Sequence, residues 1–241
     1  MKYLIVFSTT DGHTKVIADA IADTIRSKDN AAECTVQDIK VLTAHKTPTA
    51  EVAADIKNYD KFVLGASIRY GYFSEEVSEF VKQNHSHLNS IPTGFFSVNM
   101  TARKANKRSP ETNPYTRKFL SSCPWRPTKA AVFAGALYYP RYSFFDRNMI
   151  RFIMKLTGGD TDPKTEKVYT DWDSVKAFAG EVVAMTTSDI PAAQERAANL
   201  HKMQEQQERT RRLYRLCFVG GVAAVVAITR IATLKRLQKH D

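Results

Sequence analysis

Apolar and polar positions change their period regularly along most of the chain. Tyr3 to Phe7 is an unbroken apolar run, as in a strand buried on both faces, and Val16, Ile17, Ala20, Ile21 and Ile25 then recur at helical spacing. Cys34 to Asp38 alternates as a short strand, and Lys61-Phe62-Val63-Leu64-Gly65-Ala66 is another buried run. Ser74 stands as an N-cap for a helix over Glu75 to Gln83. Gly94-Phe95-Phe96-Ser97-Val98 and Ala130 to Ala134 supply a fourth and a fifth strand. Strands alternating with helices predict an α/β fold, a five-stranded parallel sheet with helices on both faces. A ligand would then sit at the carboxyl ends of the strands, near the reversal of strand order. Three loops fall on that edge: Ser8 to Thr14, Ser67 to Phe73, and one opening at Asn99.

The pattern changes beyond the fifth strand. After Tyr138-Tyr139-Pro140-Arg141-Tyr142, the stretch Ser143 to Leu156 reads as a two-faced helix. Phe145, Met149, Phe152, Ile153 and Leu156 make its apolar side, and Arg147, Arg151 and Lys155 its basic side. Such a helix fits three roles: a cover over the sheet, a wall for an amphipathic anionic substrate, or a helix lying in a lipid interface. Residues 186–212, rich in Ala, Gln, Glu and Arg, suit a polar helical stalk. Leu216 to Thr229 is uncharged for fourteen residues, fewer than the roughly 20 that cross a bilayer. If Arg215 and Arg230 snorkel, Leu213 to Leu234 reaches across, with Gly220-Gly221 on a small-residue face. The expected organisation is a domain over 1–185, containing a basic insertion at 101–129 and the amphipathic helix at 143–157, then a linker over 186–212. An apolar helix over 213–234 completes it, as a transmembrane tail anchor. An interfacial or a buried helix are the alternatives for that last segment.

Charge sharpens this division. The net charge is +10, but residues 101–129 hold eight Lys/Arg against one Glu and residues 201–241 nine against three acids, so the rest is close to neutral. Basicity confined to one insertion and one tail points to a polyanionic ligand or a membrane surface at defined places. No nucleic-acid-binding motif accompanies it, and nucleic acid is not an expected partner. Cys34, Cys123 and Cys217 are scattered, without a Cys-x-x-Cys pair, so neither a disulfide framework nor a metal site is expected. No signal or transit peptide pattern precedes the first strand.

The loop Phe7-Ser8-Thr9-Thr10-Asp11-Gly12-His13-Thr14 carries the chemistry. It joins a buried strand to a helix start, where unpaired N–H groups and the positive end of the helix dipole favour an anion. Hydroxyls of Ser8, Thr9, Thr10 and Thr14 can add to that without Lys or Arg. No Gly-Lys-Ser/Thr follows, and the single glycine does not make a dinucleotide fingerprint. What remains is a mononucleotide phosphate site of flavodoxin type. The second loop, Ser67-Ile68-Arg69-Tyr70-Gly71-Tyr72-Phe73, brings tyrosines to where a flat ring would lie, and the two loops together make FMN the economical ligand. The candidate cofactor residues are Ser8, Thr9, Thr10, Asp11, Gly12, His13 and Thr14; Ala66, Ser67, Ile68, Arg69, Tyr70 and Gly71; and Ser97, Val98 and Asn99. Asp11 and His13 read as structural rather than catalytic. Arg141, Arg147 and Arg151 are the candidate substrate-binding cations.

These loops, with Gly65-Ala66-Ser67-Ile68-Arg69-Tyr70-Gly71, Ser97-Val98-Asn99-Met100-Thr101-Ala102-Arg103-Lys104, Trp125-Arg126-Pro127, Ala134-Gly135-Ala136-Leu137-Tyr138-Tyr139-Pro140-Arg141-Tyr142, Gly158-Gly159-Asp160-Thr161-Asp162 and Val168-Tyr169-Thr170-Asp171-Trp172, resemble the flavodoxin-like, quinone-dependent protoporphyrinogen dehydrogenases of bacteria. The resemblance covers Met1 to about Met185. It implies an FMN enzyme of late haem synthesis that takes six electrons from protoporphyrinogen IX in three two-electron steps. Their acceptor would be a membrane quinone, menaquinone or ubiquinone. The flavin would carry the redox chemistry, with no catalytic side chain required. The chain departs from the bacterial pattern after residue 186, and the expectation there is attachment to a lipid bilayer by the tail. The core domain would then stay on the cytosolic side of synthesis, at a mitochondrial membrane in a eukaryotic host. The rival readings are a flavodoxin-type electron carrier and an NAD(P)H:quinone reductase on the same fold.

Overall fold

The first strand, β1 (Lys2–Ser8), takes an interior place in the sheet because both its faces are apolar: Tyr3, Leu4, Ile5 and Val6 are all at most 1% exposed. The computed structural model of the protein describes residues 1–43, 56–206 and 209–210. Beside β1 lie β2 (Glu33–Asp38) on one side and β3 (Lys61–Ser67) on the other, followed by β4 (Thr93–Val98) and β5 (Lys129–Phe133). The order is β2-β1-β3-β4-β5 and every pairing is parallel. The expected five-stranded sheet is therefore present, each strand ending within a residue of where its pattern placed it.

Pleat alternation sends Tyr3, Ile5 and Phe7 to one face of the sheet and their neighbours to the other. Over the first face pack α1 (His13–Lys28) and α6 (Trp172–Ala184), whose Ile17, Ile21, Ile25, Val175, Phe178 and Val182 join Val63 and Phe96 in one core. α3 (Glu75–Leu88) and α4 (Pro114–Ser122) contribute to a run of rings over the other face. Phe62 stacks on Phe80 at 5.9 Å, Phe95 meets Trp125 at 5.8 Å, and Phe73 meets Phe119 at 4.8 Å. α2 (Ile39–Thr43) is a single turn after β2. Lys61, 3% exposed, is admitted to the interior because its ammonium donates to the Val182 and Val183 carbonyls at 3.1 and 2.6 Å, closing the carboxyl end of α6.

Between β5 and α6 the chain makes a small antiparallel pair, β6 (Ala136–Tyr138) with β7 (Glu166–Val168), and α5 (Phe144–Leu156) is carried between them. Strands of three residues are too short to show a period, and no sequence signal marks them. α5 has the expected bounds, but its apolar side does not cover the sheet. Phe144, Phe145, Phe152 and Leu156 are 73, 83, 61 and 70% exposed, while the side facing the protein holds Arg147, Ile150, Arg151 and Met154. Polar bonds fix that orientation: Arg147 Nη2 donates to the Tyr142 carbonyl at 3.1 Å and Arg151 Nε to the Thr161 carbonyl at 2.9 Å.

Residues 190–206 are helical. The start of that stretch is tied to the domain by buried Ala193 and Ala197 and by Arg196, which donates to the Thr128 carbonyl at 2.7 Å. The chain divides into two compact units, Met1–Ala198 and Asn199–Asp241. The apolar segment 213–234 lies outside the described residues; among the described residues, no helix is long and apolar enough to cross a membrane.

Gly65 of β3 lies directly under Phe96 of β4. A Cβ there would stand 2.0 Å from the ring, well inside contact distance. Gly65→Ala is therefore expected to cost about 2–3 kcal/mol by overpacking. Its urea unfolding midpoint should fall with unchanged slope, and Phe96→Leu in the same chain should recover part of the loss.

Candidate functional site

Register brings the site residues level before any side chain is considered. Ser8 of β1 is opposite Ala66 of β3, Ala66 is opposite Ser97 of β4, and Ser67 is opposite Val98. The loops that leave these three strands therefore start from one row at the carboxyl edge of the sheet.

The first loop ends at Gly12, which caps α1 in the left-handed region at φ 82°. No side chain caps α1, and its first turn holds no acid. The other long helices are closed differently: Asn113 caps α4, Ser143 caps α5, Asp171 caps α6, and Glu75 and Glu76 open α3. The hydroxyls of Thr9, Thr10 and Thr14, on and just after this loop, have no hydrogen-bond partner among the described residues. The loop's one acid, Asp11, is neutralised by Arg69 at 3.2 Å. Bare N–H groups, free hydroxyls and a balanced charge fit a phosphate group, and nothing on the loop opposes one.

The second loop is a tight hairpin. Arg69 and Tyr72 exchange backbone bonds at 3.0 and 3.1 Å around Tyr70 (φ 52°) and Gly71 (φ 90°), the positive-φ pair of a type I′ turn. It presents Tyr70 and Tyr72 at 60 and 69% exposure, wide enough open for a planar ring to stack on. Arg69 ties it in two directions, to Asp11 of the first loop and to Asp146 in the first turn of α5 at 2.7 Å. The Tyr70 hydroxyl also donates to Asp146, and this bond, ahead of the one from Ser143, holds the Asp146 carboxyl below the usual range. Ser67 Oγ reaches the Ser8 carbonyl at 3.4 Å, Ser74 Oγ lies 3.1 Å from Ser8 Oγ, and Ile68 N–H donates to the Val98 carbonyl at 2.9 Å.

The third loop's candidates, Ser97, Val98 and Asn99, are buried, and Ser97 and Asn99 are bonded inward. Asn99 Oδ1 accepts from Ala102 N–H at 3.2 Å and from Asn113 Nδ2 at 3.0 Å, while Ser97 and Thr116 share a hydroxyl contact of 2.6 Å. Their side chains shape the edge from beneath. This support was missed from sequence alone; the signal that could have found it is Asn113-Pro114, an N-cap followed by proline at the first helical position.

Arg141 is exposed, lies 4.2 Å over the Tyr138 ring and pairs with the also exposed Glu166 at 3.1 Å. Arg147 and Arg151 spend donors on the Tyr142 and Thr161 carbonyls. Asp146, the anchor of the hairpin, carried only a helix-start signal in the sequence, through Ser143 three residues before it. A separate hollow of about 270 Å³ runs along β5 and α6, lined by Arg108, Val132, Tyr169 and Asp171 among others. None of the candidate loop residues lines it.

The protein is thus a doubly wound α/β domain with an anion-ready helix end beside an aromatic hairpin. Residues 4–164 match the family model of the flavodoxin domain. Protoporphyrinogen IX dehydrogenase (quinone) from Leishmania major is 52% identical over 76% of this chain and 75% of that one. The protein of the same name from Escherichia coli K12 is 47% identical over 77% of this chain and 97% of that one. Among solved structures, oxidised Flavodoxin 1 from Bacillus cereus is 17% identical, with a TM-score of 0.41 over 76% of this chain and 98% of that one. The chain belongs to the flavodoxin-domain family and, within it, to the family of the protoporphyrinogen IX dehydrogenases (quinone).

His13 has a pH consequence. Its Nε2 lies 2.7 Å from Thr170 Oγ1, and that hydroxyl gives its own proton to the Ala134 carbonyl at 2.7 Å. Thr170 must then accept from His13 Nε2–H, which fixes a neutral tautomer. Burial lowers the pKa of this ring from 6.5. A lowered folded-state pKa gives stability that is present above about pH 6.5 and is lost as pH falls through the folded value. Urea midpoints of the FMN-free protein should be flat above pH 7 and decline on the acid side, and His13→Gln should flatten part of that decline.

Proposed function

We propose that the protein oxidises protoporphyrinogen IX to protoporphyrin IX with bound FMN and passes the electrons to a quinone. The carrying observation is the uncapped amino end of α1, with its unpartnered threonines, set level with the Tyr70 hairpin; the relatives' shared name supplies the substrate class. When bound, FMN supplies two-electron redox chemistry. Each of three oxidations would release two electrons and two protons, reducing one quinone to a quinol.

The roles of the chain's own residues follow from their places. The N–H groups at the start of α1, with Thr9, Thr10 and Thr14, hold the phosphate. Tyr70 and Tyr72 flank the ring, and Arg69 fixes their loop against the phosphate loop. Ser97, Val98 and Asn99 set the third side of the site. Asp11 and His13 position the loop and take no proton from substrate. Among the three candidate cations, Arg141 is the best placed to receive a propionate, because it is exposed and its partner Glu166 can turn to water; Arg147 and Arg151 hold α5. Membrane attachment by residues 213–234, with the domain on the side of synthesis, completes the reading. Its support is the uncharged run Leu216–Thr229 between Arg215 and Arg230. Retention of the full chain in membranes after alkaline carbonate extraction is the expected result; complete release would replace a spanning tail with an interfacial one.

The activity is tested by mixing FMN-loaded protein with protoporphyrinogen and a quinone without oxygen and following porphyrin fluorescence. A rise that needs both FMN and quinone is expected; no rise refutes the proposal, and bleaching of the bound flavin by NAD(P)H in that case would favour an NAD(P)H:quinone reductase. Thr14→Val should weaken FMN binding by about 1.5–3 kcal/mol, roughly 10- to 150-fold in Kd, if its hydroxyl meets a charged phosphate. Arg141→Gln should raise the KM for protoporphyrinogen several-fold with FMN still bound and kcat little changed.

A further inference from the structure

α5 is inverted relative to an ordinary surface helix. Its arginines bond to backbone carbonyls of the protein, while Phe144, Phe145, Met149, Phe152, Ile153 and Leu156 stand 46 to 83% exposed on the other side. The helix is firmly held. Asp146 is bonded to Arg69 and Tyr70 at one end, and Arg103 donates to the Thr157 carbonyl at 2.9 Å at the other. Met154, 1% exposed, pins the last turn, packed where a Cβ on Gly159 would meet it at 2.3 Å. A helix clamped in this way cannot roll to bury its stripe, so only an apolar partner removes that surface from water.

The geometry points to the surface of a bilayer containing anionic lipid as that partner, with α5 lying flat in the interface. This rests on the quinone reading above and adds the surface from which the acceptor is reached. Charge favours it: Lys155 is exposed at the border of the stripe, and the one acid on α5, Asp146, is already paired. A second copy of the chain is the competing partner; the exposed Lys155 and the continuity of the stripe with the site favour the bilayer. Continuity with the site decides the function of the surface. The residue that anchors the aromatic hairpin is in the first turn of α5, so a bilayer against the stripe places a lipid-dissolved quinone beside the site.

The full-length FMN-loaded protein tests this on vesicles of phosphatidylcholine and phosphatidylglycerol carrying a long-chain quinone. Phe145, Phe152 and Leu156 are more than 60% exposed, so the triple change to Ser should leave the urea midpoint unmoved. Turnover with the vesicle-borne quinone should fall tenfold or more, and turnover with a short-chain, water-soluble quinone should not change. Any anchoring by the tail is common to parent and variant and cancels. Separately, the tryptophan introduced by Phe152→Trp should shift to the blue on vesicles and be quenched by brominated acyl chains. Unchanged turnover with vesicle quinone, or an introduced tryptophan that stays water-like, overturns the inference. So does equal loss with both quinones, which would make the stripe a substrate wall, or a concentration-dependent dimer that the triple change abolishes. If the parent reduces neither quinone, the activity proposal fails, while the tryptophan signal still decides what α5 touches.

Discussion

The pairing of β1 with β3, while β2 lies on the other side of β1, is the constraint on which the site depends. A parallel strand must be followed by a crossover, and the crossover after β1 leads one way while the next strand added, β3, lies the other way. The loops leaving β1 and β3 are therefore not covered by each other's helices. They open side by side, and the register that sets Ser8 opposite Ala66 and Ala66 opposite Ser97 makes them level. The apolar content of β1, β3 and β4 permits this, because interior strands of such a sheet are buried on both faces.

On that frame, the electrostatics are arranged by omission as much as by contact. Ser, Asn or Asp closes three of the other long helices, and two glutamates open a fourth, but α1 is left bare at Gly12 with unpartnered threonines beside it. The strong charges beside it, Asp11 and Arg69, offset each other. Arg69 also reaches Asp146, so one guanidinium links the loop after β1, the aromatic hairpin and α5. A partly exposed pair of this kind adds little stability. Its worth is geometric, since it fixes three separately encoded segments relative to one another.

α5 shows the same trade in another form. Its arginines are spent inward and its phenylalanines outward, the reverse of what burial alone favours. The polar clamps at Asp146, Tyr142, Thr161 and Thr157 hold it so. Local stability comes from hydrogen bonds, and the hydrophobic contribution is left for whatever the helix meets. Cys123, by contrast, shows the ordinary interior: 7% exposed, with its thiol pushed up to about 11 by burial, it has the character of a packing residue.

The sequence by itself determined the strands, the helices behind them, the hydroxyl-rich loop after β1 and the aromatic loop after β3, because continuous apolar runs, a 3.6-residue period and hydroxyl-rich turns are local signals. It also determined the length and two-sidedness of α5. Only the tertiary structure decided which side of α5 faces water, since periodicity gives two faces without saying which one the protein holds. The inward bonding of Ser97 and Asn99, the anchoring of Arg69 by Asp146, and the proton order from His13 through Thr170 to Ala134 also waited for the fold. Each joins residues distant in sequence, brought together by strand register and crossover, and no local pattern of residue types encodes such a meeting.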